Sequence, residues 1–455
     1  MSAAEPVRDL VGVGIGPFDL GLAALLDGAD ADADAVFLDR KPEFRWHGGM
    51  LIEGTTLEVP FLADLVTLAD PTSPHSYLNY LRERDRLYEF YFYETFQIPR
   101  REYDAYMRWV AERLDSCRFS REVTAVEYDD DREVFEVRAR NPETGERHRY
   151  LARDLVLGVG SVPYVPEAFR DLPDADVFHT ASYLDRRERC LDADAITVVG
   201  SGQSAAEVFL DLLERQPERD YRLDWLTRSD GFFPMEYSKL GLQHFTPEYV
   251  RYFNSLPQET RDEVLPEQDL LYKGIDPETN DRIYETLYEH SIERDPDVGL
   301  LAMTEVRGIE PSADGPHRYR LACEQRQEGT RFEHGADAVV LGTGYHRPTP
   351  EFLAPLEPRI RRDERGRPRI TEDYRVELDG AAGRVFVQNA ELHTHGVGAP
   401  DLGLGTYRNS VIVEQLLGEA VYPVDRDTVF QDFGVEQFLS DSPAQGRTDH
   451  PIQED

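Results

Sequence analysis

Three glycines and a proline (Gly12, Gly14, Gly16 and Pro17) sit between an apolar run ending at Val13 and an apolar, helix-forming segment that continues to Leu26. A strand, a tight turn and a helix start, in that order, can hold the pyrophosphate of a dinucleotide. Gly12 permits the turn, and Gly14 lets the backbone approach the phosphates. Pro17 suits the first helical turn, where its missing N–H costs nothing, and the free N–H groups there face an anion. The spacing is G-x-G-x-x-P, so the third glycine of the usual fingerprint is absent. The next apolar run, Ala35-Val-Phe-Leu, ends in Asp39, at the distance expected of a carboxylate gripping an adenosine ribose. The plainer role for Asp39 is a strand-end cap.

A second unit repeats the pattern. Ala195-Ile-Thr-Val-Val runs into Gly200-Ser201-Gly202-Gln203-Ser204-Ala205, a G-x-G-x-x-A turn that opens an amphipathic helix. The following strand, Arg222 to Leu226, leads to Arg228. A cation where the first unit has an acid suits a 2′-phosphate, hence NADPH over NADH; a surface arginine is the alternative. Two units in strand–turn–helix context are far more specific than either alone. Together they imply FAD held permanently and NADPH visiting. Cys117, Cys190 and Cys323 are far apart and form no Cys-x-x-Cys, which argues against disulfide reduction and for a reducing, cytoplasmic setting. The remaining chemistry is hydride transfer to flavin, with electrons passed to oxygen or another acceptor.

The elements that must position these turns follow from the apolar periodicity. A chain of 455 residues supports two or three domains. The expected fold is α/β, with two Rossmann-like dinucleotide-binding domains. Residues 1–165 and 330–430 make a split FAD domain, and 190–330 make the inserted NADPH domain. Helical spacing marks Ser76 to Leu87, Arg100 to Leu114 and Pro277 to Glu293, and Val123 to Val137 reads as a hairpin. Tyr77, Tyr80, Tyr103, Tyr106 and Trp109 read as core. Trp46 and His47, in a loop with Gly48 and Gly49, could meet a flavin or serve as a packed anchor. His393 and His395 lack a third ligand, so no metal is expected. The tail, 440–455, is polar and expected to be disordered.

Acidic residues outnumber basic ones by 88 to 50, a net charge of −38, and only Lys41, Lys239 and Lys273 are lysines. Such a surface repels nucleic acid and anionic membranes. No apolar run nears the ~20 residues that span a bilayer, and the first residues show no signal peptide. Self-repulsion of this size is screened by salt. A halophilic source is the expectation, checked by whether the protein unfolds as salt is removed.

The sequence resembles the microbial N-hydroxylating flavin monooxygenases, the lysine N6- and ornithine N5-hydroxylases of siderophore synthesis. The matching pieces include Gly14-Ile-Gly-Pro-Phe, Phe44-Arg-Trp-His-Gly-Gly-Met50, Phe61-Leu-Ala-Asp-Leu65, Gly200-Ser-Gly-Gln-Ser-Ala205, Phe245-Thr-Pro-Glu-Tyr-Val250, Leu341-Gly-Thr-Gly-Tyr345 and Phe386-Val-Gln-Asn-Ala390. The resemblance implies a class B flavin monooxygenase-like fold. It also implies reduction of FAD by NADPH and transfer of oxygen from a C4a-hydroperoxyflavin to a neutral primary amine. No side chain is implied as a catalytic group, and a homo-oligomer is usual among relatives. Asp39, Trp46, His47, Glu58 and Val123 would contact FAD by matching position; Gly200 to Gln203 and Arg228 would hold NADPH.

Several residues depart from the pattern this resemblance sets. Asp19 and Glu58 stand where Asn and Gln are usual. In the amino-acid pocket the motif lysine is Ala63, two asparagines are Leu242 and Leu271, and a serine is Gly403. Loss of a cation that pairs a substrate carboxylate costs several kcal/mol. The expected substrate is therefore a diamine such as cadaverine, putrescine or 1,3-diaminopropane, unless Lys239, Lys273 or an arginine supplies a relocated cation for lysine or ornithine. Baeyer–Villiger or sulfur oxidation, or a redox-sensing flavoprotein, are the other readings.

Overall fold

The computed structural model describes residues 6–29, 33–170, 172–173, 175–292, 295–423, 428–435 and 439. The tail expected to be disordered lies outside them. Two parallel sheets organise the chain. The first has seven strands: Cys117–Arg118, Ala35–Leu38, Val7–Val13 and Arg147–Leu157 run parallel, and the hairpin Val134–Arg140 and Glu122–Asp129 extends the edge antiparallel. Val385–Val387 also pairs with Arg147–Leu157. The second sheet has five parallel strands, in the order Val298–Leu301, Arg222–Leu226, Ala195–Val199, Ala338–Leu341, Val177–His179. Strands buried on both faces read as continuous β-branched runs, as in Ala195-Ile-Thr-Val-Val. By hydrogen bonding, this second sheet reaches past residues 190 and 330 at both ends. A three-stranded antiparallel sheet, Thr304–Pro311 with Tyr319–Gln325 and Thr330–Ala336, is appended.

Each glycine turn leaves a strand flanked on both sides by strands from later in the chain. Val7–Val13 lies between Ala35–Leu38 and Arg147–Leu157; Ala195–Val199 lies between Arg222–Leu226 and Ala338–Leu341. A crevice opens outside the carboxyl ends of strands where the order reverses, and ligands of such sheets bind there. The helices that follow, Pro17–Gly28 and Gln203–Arg215, pack their apolar faces into separate cores.

The five aromatics read as core are all buried, in edge and tilted contacts with one another. The helix expected over Ser76 to Leu87 is two pieces, Tyr77–Glu83 and Leu87–Tyr93. Asp85, at φ 58°, breaks the run between them. The first piece buries Tyr77, Tyr80 and Leu81, whereas the second touches the core only through Phe90.

Candidate cofactor and substrate sites

The two turns share one backbone geometry. Gly14 has φ 108° and Gly200 has φ 132°, a region open to glycine. A methyl group on Gly14 would lie 2.2 Å from Gly158 O, and one on Gly200 2.1 Å from Gly342 O. A methyl group on Gly12 would lie 2.2 Å from the Phe37 ring. The helix N-caps behave differently. Gly16 (φ −94°, ψ −178°) and Gly202 (φ −91°, ψ 175°) are extended, carry no side-chain cap, and face nothing within 4 Å. Each helix therefore presents unfilled space at its positive end, the volume a pyrophosphate needs. These residues fit two dinucleotides.

Asp39 is buried at the end of its strand. One carboxylate oxygen accepts from Ile15 N–H at 2.9 Å and the other from Lys41 N–H at 2.8 Å. The cap and the ribose grip are thus compatible, because each oxygen keeps a lone pair. Ser120 N–H and Arg121 N–H bond the carbonyls of Lys41 and Asp39, which brings Val123 to this strand end. Trp46 is edge-on to His47 (4.8 Å) and Tyr103 (5.4 Å), and its backbone N–H donates to Asp104 Oδ1 at 2.7 Å. His47 is left-handed (φ 46°) and meets Tyr345, beyond the second sheet, edge-on at 6.2 Å. Burial, then Arg100 and Lys41, hold its imidazole down at about 4. It is neutral at physiological pH.

In the second unit, Ser201 Oγ lies 2.8 Å from Ser229 Oγ, which sets the exposed Arg228 beside the turn. Gln203 is held at both ends. Its oxygen accepts from Asp276 N–H (2.7 Å), and its nitrogen donates to Glu207 (3.0 Å) and Thr279 (3.1 Å). Glu207 in turn takes both arms of Arg100, at 2.8 and 2.5 Å. Arg100 starts the helix Arg100–Ala111 beside the first sheet, and Glu207 lies on the helix after the second glycine turn. A buried, bidentate ion pair therefore ties the two units together. Sequence reasoning missed it, since nothing in the sequence links positions 107 residues apart.

Glu58 joins this network at 3.5 Å from Arg100. Burial pushes its carboxyl up to about 8; Arg100 opposes the rise, and Glu207 and Asp276 add to it. Asp19 accepts from Gln388 Nε2 at 2.7 Å, and burial pushes its carboxyl well above the usual range. Burial thus favours the neutral form of both acids.

The substrate-pocket positions are brought together only in part. A Cβ on Gly403 would lie 3.7 Å from Ala63 Cβ, 3.8 Å from Leu68 and 3.2 Å from Asp401 Oδ1. Leu271 packs instead in an apolar cluster with Tyr249, Phe253 and Val397, and Leu242 sits in the turn Gly241–His244. Lys273 is bonded to Asp269 at 2.7 Å, and Lys239 is exposed. His393 and His395 bond the carbonyls of Pro368 and Glu372. No helix among the described residues is long and apolar enough to cross a membrane.

A family model described as L-lysine 6-monooxygenase/L-ornithine 5-monooxygenase matches residues 6–347. The chain is 46% identical to the rhizobactin siderophore biosynthesis protein RhbE of Rhizobium meliloti, over 94% of this chain and 95% of that one. It is 42% identical to putrescine N-hydroxylase of Shewanella oneidensis, over 94% and 84%. Its backbone matches the crystal structure of FAD-bound DfoA, the cadaverine monooxygenase of desferrioxamine biosynthesis from Erwinia amylovora. That match has a TM-score of 0.90 and 41% identity, over 94% of this chain and 99% of that one. Twin glycine cradles, the motifs around them and these likenesses agree: the chain belongs to the L-lysine 6-monooxygenase/L-ornithine 5-monooxygenase family, the flavin-dependent N-hydroxylating monooxygenases.

Proposed function

We propose that this protein N-hydroxylates one end of an aliphatic α,ω-diamine, using FAD, NADPH and O2, for hydroxamate siderophore synthesis. The first sheet with the chain ends holds FAD, through Gly12, Gly14, Gly16, Pro17, Asp39, Trp46, His47, Glu58 and Val123. The second holds NADPH, through Gly200, Ser201, Gly202, Gln203 and Arg228. Bound FAD, reduced by NADPH, supplies the activated oxygen.

The protein's own share is positioning and exclusion of water. At neutral pH His47 would add no charge, and Glu58 little, to the residues that would hold FAD. The observation that carries the diamine reading is the pairing of Ala63 with Gly403. Where the family has a lysine and a serine, two residues without polar side-chain atoms meet. A substrate carboxylate would find no cation there, whereas an aliphatic chain loses nothing. DfoA and the Shewanella enzyme, named for cadaverine and putrescine, lie on the same side of that choice.

A panel of amines assayed for hydroxylamine product tests the proposal. Putrescine, cadaverine or 1,3-diaminopropane is expected to be turned over well and lysine and ornithine poorly. Strong turnover of an amino acid with none of the diamines would end it.

The pH dependence is a second test. Glu58 is mostly neutral below about pH 8 and would add a negative charge above it to the residues that would hold the cofactor. Reduction by NADPH, followed anaerobically by stopped flow, is expected to slow roughly tenfold through that range, about 1.4 kcal/mol on the barrier. Glu58→Gln should match the wild type at pH 7 and lose the alkaline fall.

A further inference from the structure

The first turn of the helix Leu402–Leu417 carries Gly403 against Ala63. Its N-cap, Asp401, sends Oδ1 to within 3.2 Å of where a Gly403 side chain would begin. Ala63 and Leu68 close the same space at 3.7 and 3.8 Å. With a methyl at 63 and no side chain at 403, the wall beside the carboxylate carries no polar side-chain atom of its own.

Two carboxylates lie near this wall, and they differ in what they already hold. Asp64 is saturated. It accepts from Val66 N–H (3.0 Å), Thr67 N–H (2.6 Å), Thr67 Oγ1 (2.7 Å) and Tyr77 N–H (2.7 Å). Asp401 accepts from Leu404 N–H at 2.8 Å, with the Gly403 N–H beside it. The cation closest along its helix, Arg408, is committed elsewhere: its Nε lies 2.9 Å from Glu391 and its Nη2 donates to Ala399 O at 2.7 Å. Burial raises the phenols of Tyr103 and Tyr237; the charge of Asp401 adds to this after Asp64 for Tyr103, and after Glu58 and Asp276 for Tyr237. Tyr103 is fixed by its hydroxyl on Ala63 O at 3.3 Å. Asp401 is mostly buried, with little of its surface left to solvent.

We infer that Asp401 selects the substrate by pairing with the far ammonium of the diamine, leaving the near amine free to react. The inference rests on the diamine reading above. Burial raises the Asp401 carboxyl to about 6, so it is charged at neutral pH and lacks a cation of its own. An ammonium on a flexible aliphatic stem supplies that cation without disturbing the helix cap. The same carboxylate would repel the α-carboxylate of lysine or ornithine, so it selects by rejection as well as attraction.

Asp401→Asn and Asp401→Ser test this, because both residues cap helices as well as aspartate or nearly so. The probes are cadaverine, which carries the far ammonium, and n-pentylamine, which does not. The expected result is a rise of about 100-fold in KM for cadaverine, the scale of truncating a buried charge pair. kcat, KM for n-pentylamine, the rate of flavin reduction by NADPH and the melting temperature should stay close to wild type. An unchanged KM for cadaverine in the better-folded variant would overturn the assignment and leave the diamine reading standing. Turnover of amino acids alone by the wild type would overturn both, before any variant is made.

Discussion

Gly16→Ala should leave the protein as stable as before and strip it of most of its FAD, and Gly202→Ala should do the same to NADPH. Both glycines have extended backbone angles that alanine adopts freely, and a methyl group on either meets no protein atom within 4 Å. Alanine is the poorer N-cap by a few tenths of a kcal/mol or more, but it also narrows the unfolded ensemble by about 0.4–1 kcal/mol, so stability changes little. The volume the methyl enters is the one a pyrophosphate must occupy against the first N–H groups. We expect at least a 100-fold loss of affinity, or ~2.7 kcal/mol, for the cofactor of the altered cradle. FAD titration of apoprotein and KM for NADPH give the two readings, with melting of the cofactor-free protein as control. Gly14→Ala and Gly200→Ala should instead lose stability as well, because their methyl groups land about 2 Å from carbonyl oxygens at positive φ. Full cofactor occupancy in Gly16→Ala and Gly202→Ala would mean that neither cradle holds phosphate.

Arg100→Leu carries the largest expected cost in stability. It removes both hydrogen bonds to Glu207 and leaves that buried carboxylate with Gln203 alone. Deleting one partner of a buried pair costs about 3–5 kcal/mol, because an uncompensated charge stays in a low dielectric. Glu58 also loses the cation that restrains its pKa. The helix Gln203–Arg215 is pinned through the same residues, so KM for NADPH should rise along with the fall in melting temperature. Arg100→Leu with Glu207→Leu should recover much of the stability, since an apolar pair of similar volume replaces the ion pair without orphaning either charge. Denaturant unfolding of the two single variants and the double variant closes the cycle. A near-zero coupling energy would show that the pair contributes nothing to holding the units together.

Both glycine turns, the strands that enter them and the helices that leave them were legible in the sequence. A phosphate cradle is a local device: a positive φ, a close backbone approach and a helix start fall within a few consecutive residues, and only glycine tolerates them. The aromatic core was legible for the same reason, since helical spacing alone puts Tyr103, Tyr106 and Trp109 on one face. The loss of polar groups at Ala63 and Gly403 could also be seen, though only as separate substitutions. The tertiary structure decided what those losses amount to. It set Ala63 against Gly403, with the N-cap Asp401 beside them, and joined Arg100 to Glu207 across the two units. It also buried Asp19 and Glu58, which raises both carboxyls. A pKa and an ion pair depend on burial and on neighbours distant in the chain, and neither is written in local residue order.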